Sequence, residues 1–391
     1  MGRFFSFLVV VVFVSSIAHL CYSLAADSSA PFISNIERLR AADVIIHIGP
    51  PKTATSHIQH NLLRLSSDID KAGWCYPAET QKELHAIGEK LRLGESIKPA
   101  QWKKVHACLE SGKKLIFSTE RLGQSMSNRG FKVIKDFFKG YKVHIVVAFR
   151  DSLTMAYSWY NQATRNAKAS MVLTFGDHVA REFSQYDRRV LSNAIFEYAD
   201  AFGIQNMTVI DFYGMIAAKK DPAYVFLCEI VGILCEAFIK PTEDNVSTDL
   251  KPYYLFNFVK NFAFSLGCKF MADDAYETIL ERYREDTNIT SVTSINSSLP
   301  ILTSQTLYIA NIARHIEQEV RRAFGSVMIY QNATANEIAR RKLRVEEVDD
   351  VQFFRSEHWT QWLWREIKLL RDQGAIGKCR VNVDFHTLSA S

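Results

Sequence analysis

Three stretches of the chain bring together residue types that hold anions and move protons. Residues 44–56 read Val-Ile-Ile-His-Ile-Gly-Pro-Pro-Lys-Thr-Ala-Thr-Ser, an apolar run passing through a short loop into a helical pattern. Unpaired N–H groups and the dipole at a helix N-terminus favour a phosphate-like anion. Lys52 adds a point charge, and Thr53, Thr55 and Ser56 add hydroxyl donors beside Ala54. Gly49 suits a tight turn. Read alone, the same hydroxyls fit ordinary helix capping. A nucleoside-triphosphate loop needs Gly-x-x-x-x-Gly-Lys-Ser/Thr, and Pro51 stands where the second Gly belongs.

The second stretch places Arg150 directly after the apolar run 143–149, with Ser158 two turns into the helical pattern that follows. Ligands of open α/β sheets sit at such strand ends. A guanidinium forks onto two phosphate oxygens while a hydroxyl donates a third bond. The third stretch supplies a proton acceptor. Glu120, just past the apolar run 115–117, is the leading base, and His85 in Gln-Lys-Glu-Leu-His-Ala is the runner-up. A structural ion pair of Glu120 with Arg121 or Arg150 is the alternative. His47 and His57 flank the first loop, in an expected strand and helix, where core or surface roles are commoner.

Positioning these groups requires strands that end together. Four apolar runs rich in β-branched residues, 44–48, 115–117, 143–149 and 207–212, have the continuous apolarity of strands covered on both faces. Each is followed by a helical pattern, which predicts an α/β fold with a P-loop-like open parallel sheet flanked by helices. The clearest helical periodicities cover 55–65, 153–166, 187–202 and 305–324. From about residue 221 the strand signals fade, so the sequence divides into an α/β core over 43–220 and a mainly helical C-terminal part over 221–391 of the same domain. Loops are expected over 241–247 and 288–300. Trp359, Trp362 and Trp364 fit core packing of an amphipathic helix, with a sugar-stacking platform as the minority alternative.

Composition narrows the setting. Lys+Arg 47 against Asp+Glu 42 gives +5 over 391 residues with no basic block, which argues against a dedicated nucleic-acid binder and leaves a small anionic ligand open. Residues 1–26 carry Arg3, the apolar run 4–18 and a small-residue exit, the pattern of a cleaved secretory signal or an uncleaved membrane anchor. Either leads into the secretory pathway. Past that segment Cys75, Cys108, Cys228, Cys235, Cys268 and Cys379 form an even set able to make three disulfides, whose pairing the sequence leaves open. None has the short Cys-x-x-Cys spacing of a zinc site. Glycosylation sequons stand at Asn206, Asn245, Asn288, Asn296 and Asn332.

The two anion motifs resemble those of sulfotransferases that use 3′-phosphoadenosine 5′-phosphosulfate (PAPS). Lys52-Thr53-Ala54-Thr55-Ser56 is similar to the family's Lys-Thr-Gly-Thr-Thr loop for the 5′-phosphosulfate. Arg150, Ser158 and Tyr160 match its 3′-phosphate motif in type, order and spacing. The phrases His47-Ile48-Gly49, Ala72-Gly73-Trp74-Cys75-Tyr76-Pro77 and Phe117-Ser118-Thr119-Glu120 resemble a carbohydrate-type branch. The resemblance spans roughly residues 43–213. It implies PAPS as donor substrate with no metal, a carbohydrate hydroxyl as acceptor, Lys52 at the leaving group, and a Golgi-lumenal or secreted protein. Ala54 replaces the usual Gly, harmless at negative φ and costly at positive φ. Met155 and Ser152 stand where many members carry Arg and Pro. A lumenal nucleotide kinase and a non-catalytic glycan- or nucleotide-binding protein are the competing readings.

Overall fold

The computed structural model describes residues 39, 41–124, 126–166, 174–184, 191–233, 251–269, 301–304, 307–343, 345–377 and 379. The N-terminal segment, the sequons at Asn245, Asn288 and Asn296, and the loops expected over 241–247 and 288–300 lie outside them.

In chain order the first half comprises β1 (Val44–His47), α1 (Thr55–Arg64), α2 (Ser66–Lys71), β2 (Trp74–Cys75), α3 (Gln81–Leu93), α4 (Pro99–Glu110), β3 (Lys114–Ser118), a 3-10 turn (Glu120–Gly123), α5 (Asn128–Phe137) and β4 (Val143–Phe149). Next come α6 (Ser152–Asn166), α7 (Phe175–Ser184), α8 (Leu191–Phe202), β5 (Met207–Asp211), α9 (Phe212–Ala217) and a π-helical segment (Val225–Val231). The C-terminal part adds α10 (Lys251–Ser265), β6 (Ile301–Ser304), α11 (Leu307–Phe324), β7 (Met328–Ile329), α12 (Ala333–Lys342), β8 (Val345–Val348), α13 (Asp350–Arg355) and α14 (Glu357–Asp372).

All four predicted strands form, within a residue or two at their ends, in a six-stranded sheet of order β2-β3-β1-β4-β5-β7. Every neighbouring pair is parallel. Unbroken apolarity has the cause the pattern implied. In β1, Val44 and Ile46 face one core while Ile45 faces the other, and β4 divides likewise between Ile145, Val147, Phe149 and Val146, Ala148. The first face is covered by α3, α4, α5, α8 and α11, the second by α1, α9 and the π-helical segment.

Two features were not legible in the strand pattern. β7 joins the sheet beside β5 from the part that reads as helical, and β6 pairs with β8 as an antiparallel ribbon. Both are too short to stand out as apolar runs. The C-terminal helices α10, α13 and α14 share a separate core in which Trp359 is only 2% exposed, so that residue packs rather than forming a platform. Cys75 is bonded to Cys108 and Cys268 to Cys379, and Cys228 is also disulfide-bonded.

A buried network of charges ties the C-terminal part to the strand ends. Arg340 on α12 meets Asp151, just past β4, at 2.5 Å and Glu317 on α11 at 2.7 Å. Arg321 on α11 meets Asp211, the last residue of β5, at 2.5 Å and Glu317 at 2.7 Å. Asp211 also accepts from Asn336 at 2.9 Å and from the Gly214 N–H at 3.2 Å. Removing one member leaves a carboxylate buried without its partner, a loss of about 3–5 kcal/mol. Arg340→Ala is therefore expected to lower unfolding stability by that amount in a denaturant titration, and a loss below about 1 kcal/mol would show that the network is not holding α12 in place.

Candidate active site

β1 lies between β3 and β4, at the point where successive strands begin to be added to the opposite side of the sheet. Such a switch opens a crevice at the carboxyl ends of the strands. Register makes this concrete, because His47 pairs with Ser118 on one side and Val146 on the other. The loop after β1, Glu120 after β3 and Arg150 after β4 therefore leave the sheet at one rim.

The loop owes its shape to crowding and to strained backbone. Gly49 is required by space rather than by φ: a Cβ there would lie 2.2 Å from Thr55 Oγ1 and 2.8 Å from His47 Cε1. The reversal of the chain is made instead by Lys52 at φ 69° and Ala54 at φ 62°, both left-handed. Thr53 is 1% exposed, with its hydroxyl donating to the Pro50 carbonyl at 2.7 Å, and Thr55 donates to the same carbonyl at 3.2 Å. These two hydroxyls brace the loop from within, while Ser56 is exposed. Across the rim, a Cβ on Gly123 would come within 2.6 Å of the Ile48 carbonyl, so the 3-10 turn carrying Glu120 packs directly on the loop.

Arg150 clamps this arrangement. Its Nη1 donates to the Lys52 carbonyl, its Nη2 to the Tyr213 hydroxyl at 3.2 Å, and its Nε to Thr154 Oγ1 at 3.3 Å. Its guanidinium also lies 5.2 Å from the centre of the Phe212 ring and 5.6 Å from that of Tyr213. A guanidinium has five N–H donors, so two remain for a ligand.

These groups border one cavity of about 850 Å³, within the usual size of a small-molecule site. Lys52, Ala54, Thr55, Ser56, Glu120, Arg150 and Ser158 all line it. Thr53 and His85 do not. His85 is off that wall; burial pulls its pKa below the ordinary value, Glu120 pulls it up and Arg121 pulls it down. His47 is fully buried against Ser118 at 2.8 Å, and burial pushes its pKa down to about 3, so it stays neutral. Met155 is core, 4% exposed. Among the described residues no group of three or more His, Cys, Asp or Glu is placed to hold a metal ion.

Sequence reasoning missed several wall residues. Gln124, Trp159, Asn161, Gln162 and Phe212 share the cavity, and Ser158 with Gln162 is an i, i+4 pair that exposes one stripe of α6. That spacing was visible; its direction was not. His57 also lines the cavity and bonds Asp221 at 2.9 Å. Burial raises the Asp221 carboxyl, but bonds from His57 and from the Tyr224 and Ala223 N–H groups outweigh it and hold the pKa below the ordinary value.

No family model matches the chain, and no curated protein matches it. The solved structure of a sulfotransferase from Alicyclobacillus acidocaldarius is similar over 62% of this chain and 98% of that one, with 14% identity and a TM-score of 0.35.

The left-handed Ala54 yields a prediction. A side chain at such φ costs about 1–2 kcal/mol, and the extra freedom of glycine in the unfolded chain returns part of it. Ala54→Gly should stabilise the fold by about 0.5–1 kcal/mol in thermal or denaturant unfolding. A destabilised variant would mean that Ala54 does not hold this conformation.

Proposed function

We propose that the chain is a PAPS-dependent sulfotransferase that moves a sulfuryl group to a hydroxyl of a carbohydrate, either a glycan or a polysaccharide. The observation that supports this most is the single cavity in which Lys52, Ser56, Arg150 and Ser158 converge with Glu120. A donor with two separate anionic groups needs two cationic subsites, and an acceptor hydroxyl needs a base beside them. PAPS bound there would supply an activated sulfuryl group together with its own leaving group, so the reaction needs no metal.

The residues divide the work. Lys52, a compact ammonium, neutralises charge as it builds on the departing phosphate, and the Ser56 hydroxyl with the loop N–H groups holds the same end. Arg150 and Ser158 take the 3′-phosphate, Arg150 with the donors left after it clamps the loop. Glu120 accepts the proton of the attacking hydroxyl, with His85 as the second candidate. Positioning and electrostatics then carry most of the rate, as in phosphoryl transfer. Disulfides fit an oxidising compartment, which supports residence in the secretory pathway, in the Golgi lumen or beyond it.

Binding of adenosine 3′,5′-bisphosphate compared with ATP, with and without magnesium, separates this reading from a kinase. Transfer of labelled sulfate from PAPS to a panel of glycans separates it from a non-catalytic binder. Lys52→Ala should abolish turnover in a protein that remains folded. Near-normal sulfate transfer by that folded variant would falsify the role of Lys52.

The base is tested by a pair of variants. Glu120→Gln keeps the shape, loses the basicity, and should lower kcat by about 10²–10⁴ with bisphosphate affinity nearly unchanged. His85→Ala should act more on acceptor KM. The reverse pattern transfers the role to His85, and loss of folding in Glu120→Gln would mark a structural ion pair.

A further inference from the structure

Resting on that reading, we infer that the acceptor is an uncharged sugar, stacked on Trp159 and oriented by the amides of Gln124, Asn161 and Gln162. The two ends of the cavity differ in chemistry. Phe212 packs with the core on the α1 face of the sheet and lies under the Arg150 guanidinium, so that end belongs with the anion-binding groups. Trp159 packs with the core on the opposite face, the face covered by α3. Leu122 of the turn that begins with Glu120, and Leu84 and Ile87 of α3, which carries His85, pack in the same core as Trp159, so both candidate bases lie on that side. An acceptor hydroxyl must reach the base, which brings the acceptor in over Trp159.

The wall there has the mixed character that a sugar ring requires. Trp159 is only partly buried and offers an apolar ring for the C–H face of a sugar. Asn161 accepts from the Tyr254 hydroxyl at 3.0 Å through its Oδ1, which turns its Nδ2 donors away from that bond. Gln162 is exposed, and Gln124 ends the 3-10 turn that begins with Glu120. Three amides provide donors and acceptors for hydroxyl or acetamido groups without carrying charge.

Charge decides between neutral and acidic sugars. Of the described residues on the wall, Lys52 and Arg150 are the Lys or Arg side chains, and both belong with the donor. Among the described residues the Trp159 end carries Glu120 and no Lys or Arg. Arg121, one residue on, acts on His85 and Glu89 of α3 rather than bordering the cavity. Among the described residues a carboxylate or sulfate on the acceptor would meet Glu120 and neither Lys nor Arg, which disfavours it.

Isothermal titration of the full protein, with and without saturating adenosine 3′,5′-bisphosphate, tests this with two probes: a neutral N-acetylhexosamine trisaccharide and a hexuronic-acid-containing tetrasaccharide. The neutral probe should bind at least about tenfold tighter, and Trp159→Ala should weaken it about tenfold, with Trp159→Phe retaining most of the affinity. Bisphosphate affinity should stay within about twofold in both variants, which separates loss of the sugar wall from loss of the donor site. Gln162→Lys, on an exposed position that should not disturb folding, should raise affinity for the acidic probe several-fold. Tighter binding of the acidic probe by the wild type, or unchanged neutral binding in Trp159→Ala, would overturn the assignment. Should Trp159→Ala fail to fold, Gln162→Lys decides: no gain for the acidic probe rejects the uncharged wall. Failure of bisphosphate to bind the wild type would count against the sulfotransferase reading itself, while the sugar titrations still report on Trp159.

Discussion

The rim of the sheet depends on one cluster of buried charges, in which Asp151 and Asp211 are held by Arg340 and Arg321 with Glu317 between the two arginines. Asp151 directly follows Arg150, and Asp211 directly precedes Phe212 and Tyr213. The residues that carry the site are thus neighbours in sequence of the residues that anchor it. Withdrawing these charges from water is expensive, and the arrangement is favourable only while every member keeps its partner. Burial would pull Arg340 down, but Asp151, Glu317 and Glu337 push its pKa above the ordinary guanidinium value, so it stays charged. Helices α11 and α12, more than a hundred residues beyond β4, consequently belong to the architecture of the candidate site's rim.

A second constraint sits in the loop after β1. Lys52 and Ala54 both occupy the left-handed region that glycine enters most easily. The conformation is kept by Thr53 and Thr55 bonding the Pro50 carbonyl from inside and by Arg150 bonding the Lys52 carbonyl from across the rim. Backbone strain of this kind persists where surrounding contacts overdetermine it. Arg150 accordingly has two duties, since the group proposed to hold one phosphate also shapes the loop proposed to hold the other. Its ring contacts with Phe212 and Tyr213 extend that coupling to the end of β5.

The sequence by itself determined the layered α/β plan and about half of the cavity wall. Apolar runs at 44–48 and 143–149 read as strands covered on both faces, and the structure places alternate residues of each in opposite cores. Lys52, Ser56, Arg150 and Ser158 were legible because each lies within a turn or two of a recognisable strand end, where local pattern and chemistry coincide. Tertiary structure alone decided what depends on contacts between distant segments. Gly49 serves the close approach of Thr55 and not a positive φ; the hydroxyls of Thr53 and Thr55 face inward; His85 is not on the wall. The addition of β7 to the sheet, the pairing of His57 with Asp221 and the direction of Trp159 belong to the same class. Periodicity specifies which face of an element is apolar, but the orientation of a polar side chain is set by the neighbour that satisfies it, and that neighbour is supplied by a strand or helix far along the chain.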